Sequence, residues 1–317
     1  MNELKTTGIG KRKINRKKRS RYIFCLVMAA IPVVQFLLMY IGVRFQSFVL
    51  AFQHYEKAAG GFGYDITFAG FDNFSRAIVL FEEHIGLFKN SAILFALTTL
   101  IGISLALIFS FYIYKKYLFS GLFKTVLFMP QIISSLIFAT IFRYIVTDGY
   151  MYLMEEWTGK QVLGLLDNAD TRFGVLIFFN IWTSFGVNVL MYSGAMSGIN
   201  ESIVESARLD GANIVQEFIH ITIPLIYPTI TTFLILSFVG MFTSDYGLLD
   251  LLGTSAIAIS NVGHWLYSGS LAQSYVEEFG SVSLSVLSAC GLLLTLIVTP
   301  ITIICKKLLE KYGPSVD

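Results

Sequence analysis

Charge is what this chain has least of. Asp, Glu, Lys and Arg make up 14% of its 317 residues, against 55% hydrophobic residues, where soluble domains carry roughly a quarter charged. A soluble fold of this length could bury a large core but would still need a charged surface. Cysteine is nearly absent. Cys25, Cys290 and Cys305 are odd in number and lack paired spacing, which excludes a disulfide framework and leaves them as packing residues facing lipid or other helices. His54, His84, His220 and His264 are scattered, form no zinc pattern with the cysteines, and read as loop or interface residues. No Gly-x-x-x-x-Gly-Lys-Ser/Thr phosphate loop occurs, so any nucleotide chemistry must reside elsewhere. No His/Asp/Glu constellation of convincing spacing is found either, which argues against a membrane enzyme.

What the chain does have is long uncharged runs. Residues 22–43, 90–114, 125–142, 173–200, 218–244, 251–276 and 279–305 contain no Asp, Glu, Lys or Arg, and a helix needs about 20 apolar residues to cross the hydrocarbon. Buried helices of a soluble protein, at about 11–12 residues on average, are a poor match. The stretch 251–276 differs from the rest. It holds Gly253, Thr254, Ser255, Ser260, Asn261, Gly263, His264, Ser268, Gly269, Ser270, Gln273 and Ser274, a composition suited to a cavity wall or re-entrant turn and not to lipid. Lys and Arg collect on the cytoplasmic side of membranes. With the other six runs spanning and the N-terminus inside, 16 of the 23 basic residues fall inside with 7 of the 21 acidic ones. A seventh span would put Lys306, Lys307 and Lys311 outside. The expectation is therefore an all-α, multi-pass protein of the cell membrane with six transmembrane helices and both termini cytoplasmic. Its parts are a basic tail at 1–21, a six-helix domain at 22–306 and a short tail at 307–317.

The basic run 11–21 resembles a nucleic-acid arm or lipid-binding patch in composition. Placed directly before an apolar run, it reads as a topogenic anchor, with lipid and no nucleic acid as partner. That first run exceeds the 7–15 residues of a signal-peptide core and lacks a small-x-small cleavage site, so it reads as an uncleaved helix. The outer loop 44–89 has a turn signal at Gly60-Gly61-Phe62-Gly63. In the second outer loop, 143–172, lie Glu155, Glu156, Asp167 and Asp170.

The inner loop between the fourth and fifth spans is the most organised segment. Residues 201–209 are good helix formers with an acidic first turn. Gly211 tolerates the positive φ that ends helices. Asn213 with Gln216 three positions on predicts a capping box opening a second helix. Gly211 and Ala212 leave the turn uncrowded, so another surface could approach the backbone. Pro224 and Pro228 are placed to start or kink the fifth span. The product is a helix–turn–helix knob at 201–224.

This segment, Glu205-Ser206-Ala207-Arg208-Leu209-Asp210-Gly211-Ala212 followed by Phe218, Ile221 and Pro224, resembles the EAA loop of ABC-importer permeases. Ser206 departs from the usual Ala, small for small. Gly70-Phe71-Asp72-Asn73-Phe74, Asn90-Ser91, Met129-Pro130 and Ile181-Trp182 with Gly186 are similar to the sugar (maltose-type) branch. Where many members carry Gly-Gly-Pro after the fifth span, this chain has Leu249-Asp250-Leu251-Leu252-Gly253-Thr254. The resemblance implies the type I importer permease fold, with a coupling helix between spans four and five. The implied machine has a second, related permease, two cytoplasmic ABC ATPases that bind ATP and Mg, and an external solute-binding protein. This chain itself would bind no cofactor and hydrolyse nothing. It further implies ATPase coupling by Glu205, Ala207, Asp210, Gly211, Ala212, Phe218, Ile221 and Pro224. Glu205 would offer charge, Gly211 and Ala212 close contact, and Phe218 and Ile221 attachment to the bundle.

In the fourth span Asn180, Ser184, Asn188 and Tyr192 recur at helical spacing, with Trp182 nearby. Polar groups at membrane depth face a cavity or another helix. Amides, hydroxyls and aromatic rings suit a saccharide, but interhelical bonding explains the same stripe. Gly194 and Gly198, and Ser281, Ser285, Ser288, Thr295 and Thr299, read as packing seams. The spans hold no ionisable cluster, which weighs against ion-coupled transport and against charged cargo. A sugar or oligosaccharide is the expected substrate; another neutral polar solute or a glycerol-phosphate-like ester is the alternative.

Overall fold

The computed structural model describes residues 16–57, 63–254, 259–271 and 282–314. It opens on one long helix. α1 (Arg16–Gln35) passes through a π-helical stretch, Phe36–Gly42, into α2 (Val43–Leu50). The portion Arg21–Leu50 has 30 residues, and the rest of the chain buries none of its most apolar window. At 1.5 Å per residue it is about 45 Å long. Tyr22, Leu26 and Ile31 are each 71% exposed, so this helix is stable only where hydrocarbon or another apolar surface covers it.

A hairpin follows, β1 (Gln53–Lys57) against β2 (Tyr64–Phe68), antiparallel with Gln53 opposite Phe68 and Lys57 opposite Tyr64. This two-stranded sheet is the one β element among the described residues of an otherwise helical fold. Of its expected turn, Gly60, Gly61 and Phe62 lie outside the described residues, and Gly63 has φ +88°. Next comes α3 (Asp72–Glu83), where the buried Asn73 amide donates to the carbonyls of Ala51 (3.0 Å) and Gln53 (2.9 Å) and pins the hairpin to the helix.

Three unbroken helices join the first as long apolar rods: α4 (Ile85–Tyr114), α8 (Arg172–Ser197) and α15 (Leu284–Tyr312). Two further candidate spans are bent pairs. α5 (Ser120–Ile132) meets α6 (Ser135–Tyr144) at 100°, and α6 continues through a π turn into α7 (Tyr150–Thr158). The run 125–142 is therefore not straight, because Ile133 and Ser134 are extended (ψ 145° and 131°) just after Pro130, which lacks an amide donor for the last turn. α9 (Glu201–Leu209) leads to the second bent pair, in which α10 (Ile214–Glu217), a π turn at Phe218–Thr222 and α11 (Ile223–Leu225) meet α12 (Tyr227–Thr243) at 68°. The bend falls at Ile226, between Pro224 and Pro228, as their spacing suggested. Among the described residues there are four candidate spans, or six when each bent pair counts as one.

The polar run 251–276 forms no span among its described residues. α13 (Leu248–Leu252) and α14 (Val262–Leu271) are short, and ten residues reach only about 15 Å of a core roughly 30 Å thick. Residues 255–258 and 272–276 lie outside the described part. α4 lies along α8, and α5 crosses α8 so closely that a Cβ on Gly186 would collide with the Leu127 carbonyl. One apolar cluster around Leu94, Phe142, Leu176 and Phe179 fills one end of the bundle; another, around Phe111, Phe185, Tyr192 and Ile226, fills the other.

Candidate functional site

The knob begins at Asn200, whose side chain accepts from the Ser202 amide at 3.1 Å and opens α9. Glu201 in the first turn and Arg208 in the last complement the helix dipole. Gly211 ends it with φ +88°, and a Cβ there would meet nothing within 4 Å. Asn213 and Gln216 form a reciprocal capping box, with both bonds at 2.9 Å. Every local feature of this loop therefore follows from residues within a few positions of it.

The candidate coupling residues divide by environment. Glu205, Asp210 and Gly211 are exposed, whereas Ala207 and Ala212 are half-buried. Ser206 is exposed, so its departure from Ala disturbs no packing. Phe218, Ile221 and Pro224 turn inward and are half-buried; the Phe218 ring lies 4.8 Å from that of Phe111 on α4. Around the exposed turn stand three uncovered apolar tips, Leu209 (88% exposed), Val215 (63%) and Ile214 (57%). Apolar groups gathered beside polar ones on a surface mark a contact face.

One feature of the knob was not legible from spacing. Glu217 is buried and ion-paired with Lys115, from the turn after α4, and its second oxygen lies 3.4 Å from Arg208 Nε. Lys115 stands over the rings of Phe111 (5.2 Å) and Tyr114 (5.4 Å). The lone hint in the sequence was an acidic residue directly preceding an apolar run.

On α8 the stripe does not stay together. Ser184 turns its hydroxyl back to the Asn180 carbonyl at 2.8 Å. Asn180 and Asn188 are half-buried, and their amides have no hydrogen-bond partner among the described residues. Trp182 joins the rings of Phe138, Phe142 and Phe178. Tyr192 is fully buried against Phe233, at 5.3 Å between centroids, inside the apolar core. Gly194 has open space around it and Gly198 lies near only the Ala195 carbonyl, 3.4 Å from its Cβ position; along α8 the tight seam is at Gly186. Of the serine and threonine seam on α15, Ser281 lies outside the described residues, Ser285 is buried and Thr295 is exposed.

The far end of the bundle is closed by a buried polar network. The Asn261 amide donates to the Ser244 carbonyl (2.8 Å), and its oxygen accepts from the His264 amide (2.8 Å), capping α14. The His264 ring bridges the Ser260 hydroxyl (3.0 Å) and the Gly253 carbonyl (2.8 Å). Asn90 donates to the Ser260 carbonyl (2.9 Å) and Ser91 accepts from the Val262 amide (3.1 Å). Burial pushes the nearby Tyr246 phenol up to about 12, so it stays protonated. Among the described residues no group of His, Cys, Asp and Glu has metal-site geometry.

Comparison with known proteins fits this architecture. Residues 98–312 match the family model described as the inner membrane component of binding-protein-dependent transport systems. The arabinooligosaccharides transport system permease protein AraP of Halalkalibacterium halodurans is 26% identical over 306 residues, covering 92% of each chain. The sn-glycerol-3-phosphate transport system permease protein UgpA of Yersinia pseudotuberculosis is 24% identical over 259 residues, covering 79% of this chain and 83% of the relative. In fold, the chain is similar to a subunit in the crystal structure of a bacterial ABC transporter that imports the acidic polysaccharide alginate, with TM-score 0.73, 21% identity and coverage of 94% and 99%. A second structure of a bacterial alginate ABC transporter, in complex with an alginate pentasaccharide-bound periplasmic protein, gives TM-score 0.70 at 21% identity. The match spans more than half of the sequence and includes the knob, α12 and α15: this chain belongs to the family of inner membrane components of binding-protein-dependent transport systems, the permease subunits of ABC importers.

Proposed function

We propose that this permease carries a neutral sugar or oligosaccharide inward, and that the knob at 201–224 is its cytoplasmic coupling element. In this reading six spans fill residues 22–306, the tails 1–21 and 307–317 are cytoplasmic, and a second, related permease completes the path. Two ATPase subunits bind ATP and Mg, and a solute-binding protein delivers cargo to the opposite face. Glu205, Ala207, Asp210, Gly211 and Ala212 meet a groove on the ATPase, while Phe218, Ile221 and Pro224 hold the knob to the bundle. Closure of the ATPase pair draws the two knobs together and reverses the access of the path. The observation that carries the reading is the open Gly211 turn ringed by Leu209, Ile214 and Val215, which are left exposed by the described residues.

A neutral cargo is supported by spans without ionisable clusters and by the free amides of Asn180 and Asn188 beside Ser184. Trp182 and Tyr192, held among other rings, support the path's wall more than the contact itself. The second reading, a glycerol-phosphate-like ester, takes its support from the UgpA relative; the uncharged runs offer its phosphate no basic partner.

Gly211→Asn and Gly211→Trp test the coupling in the reconstituted transporter. Asn tolerates the left-handed backbone and should keep most uptake. Trp should abolish uptake, with the protein still inserted in the membrane. Normal uptake by the Trp variant would sink the coupling role.

A further inference from the structure

Among the described residues Glu217 is the one buried Asp or Glu, at 2% exposure. An ionised carboxylate is costly to bury unless its oxygens find partners. Each oxygen here has one. Oε1 accepts from the Lys115 ammonium, on a side chain only 9% exposed, and Oε2 faces Arg208 Nε at 3.4 Å. The two partners belong to different bodies. Lys115 ends α4, 102 residues away in sequence, and is held over Phe111 and Tyr114. Arg208 sits in the last turn of α9, the helix that presents Glu205 and Ala207.

On its N-terminal side α9 joins α8 through residues 198–200; towards α12 the chain runs through the Asp210–Asn213 turn, whose Gly211 is left-handed and free of neighbours. Such a joint transmits force poorly. The carboxylate bridges it, tying α9 to the end of α4, and α4 lies along α8 with Asn180, Ser184 and Asn188. Anchoring alone would not require charge, because an apolar pair of similar volume does as well or better in a core. Phe111 against Phe218 already supplies that apolar contact, at 4.8 Å.

We propose that Glu217 is a positioning residue that transmits movement of the knob to α4, with its Lys115 arm as the main link. The Arg208 arm, 56% exposed, is weakened by solvent. The proposal rests on the coupling reading above.

The test uses the complete transporter with its solute-binding protein in proteoliposomes, and reads ATP hydrolysed per solute imported beside the yield of assembled complex. Glu217→Gln and Lys115→Met should assemble at the wild-type level while that ratio rises by about ten-fold. The exchange Lys115→Glu with Glu217→Lys should bring the ratio back to within about three-fold of wild type. An unchanged ratio in assembled Glu217→Gln or Lys115→Met overturns the proposal. So does loss of assembly in both, with or without recovery in the exchange, since the pair would then only hold the fold. Gly211→Trp run in parallel separates the two claims. If it loses uptake while the ratio of the Glu217 and Lys115 variants stays normal, only the carboxylate's role fails. If it imports normally, the coupling reading fails as well.

Discussion

Gly186→Ala should damage this protein out of proportion to the single carbon it adds. Gly186 lies where α5 crosses α8. A Cβ there would collide with the Leu127 carbonyl oxygen and stand 2.9 Å from both the Leu127 carbonyl carbon and Phe128 Cα. Ordinary contact begins at 3.4 Å, so those two atoms alone must retreat by 3.4 − 2.9 = 0.5 Å, and the oxygen by more. All three belong to backbone, which no rotamer change can move. Overpacking costs about 1–3 kcal/mol, and a rigid obstacle puts this site near 3, roughly a hundredfold in an unfolding equilibrium. Gly194→Ala on the same helix is the control. Nothing lies within 4 Å of its Cβ position, and Ala exceeds Gly in helix propensity by about 1 kcal/mol. Heating the purified chain in mild detergent and following monodisperse protein by size-exclusion chromatography should show the first variant lost well below wild type and the second at or above it. Equal thermal survival of Gly186→Ala and wild type would refute the close crossing.

Two smaller changes probe the ends of the bundle. Asn213→Ala removes half of the capping box and should cost about 1 kcal/mol, seen as faster proteolysis of the 201–224 loop with the spans intact; an unchanged cleavage rate would count against the cap. Asn261→Leu leaves the Ser244 carbonyl and the His264 amide without their partner and should cost about 1–3 kcal/mol, read as lower thermal survival of the purified chain. No loss there would mean the network does not hold α14 in place.

What the sequence made legible was local. The bounds of α9, the left-handed Gly211, the Asn213–Gln216 box and the bend between Pro224 and Pro228 each depend on residues a few positions apart, and all four appear as expected. The polar run 251–276 stood apart by composition, and the count of Lys and Arg on each side set it aside as a span. Long-range features were hidden. Nothing near Glu217 names Lys115 as its partner, because that pairing depends on how α4 meets the loop. Gly186, Gly194 and Gly198 look alike in sequence, yet only packing against α5 makes the first a close approach. Tyr192 shares a helical stripe with Asn188, but a single stripe cannot tell a core from a cavity, and the ring lies against Phe233. The hairpin was half legible, because Tyr64-Asp65-Ile66-Thr67-Phe68 alternates apolar and polar residues whereas its partner strand Gln53–Lys57 does not.

In the proposed mechanism the knob meets an ATPase. A photo-activated crosslinker at Leu209, the most exposed apolar side chain of the knob at 88%, tests it in native membranes holding the whole transporter. Leu209 should capture the ATPase subunit, with a yield that changes when a non-hydrolysable ATP analogue is added. Capture of lipid alone, or of the external solute-binding protein, would contradict it.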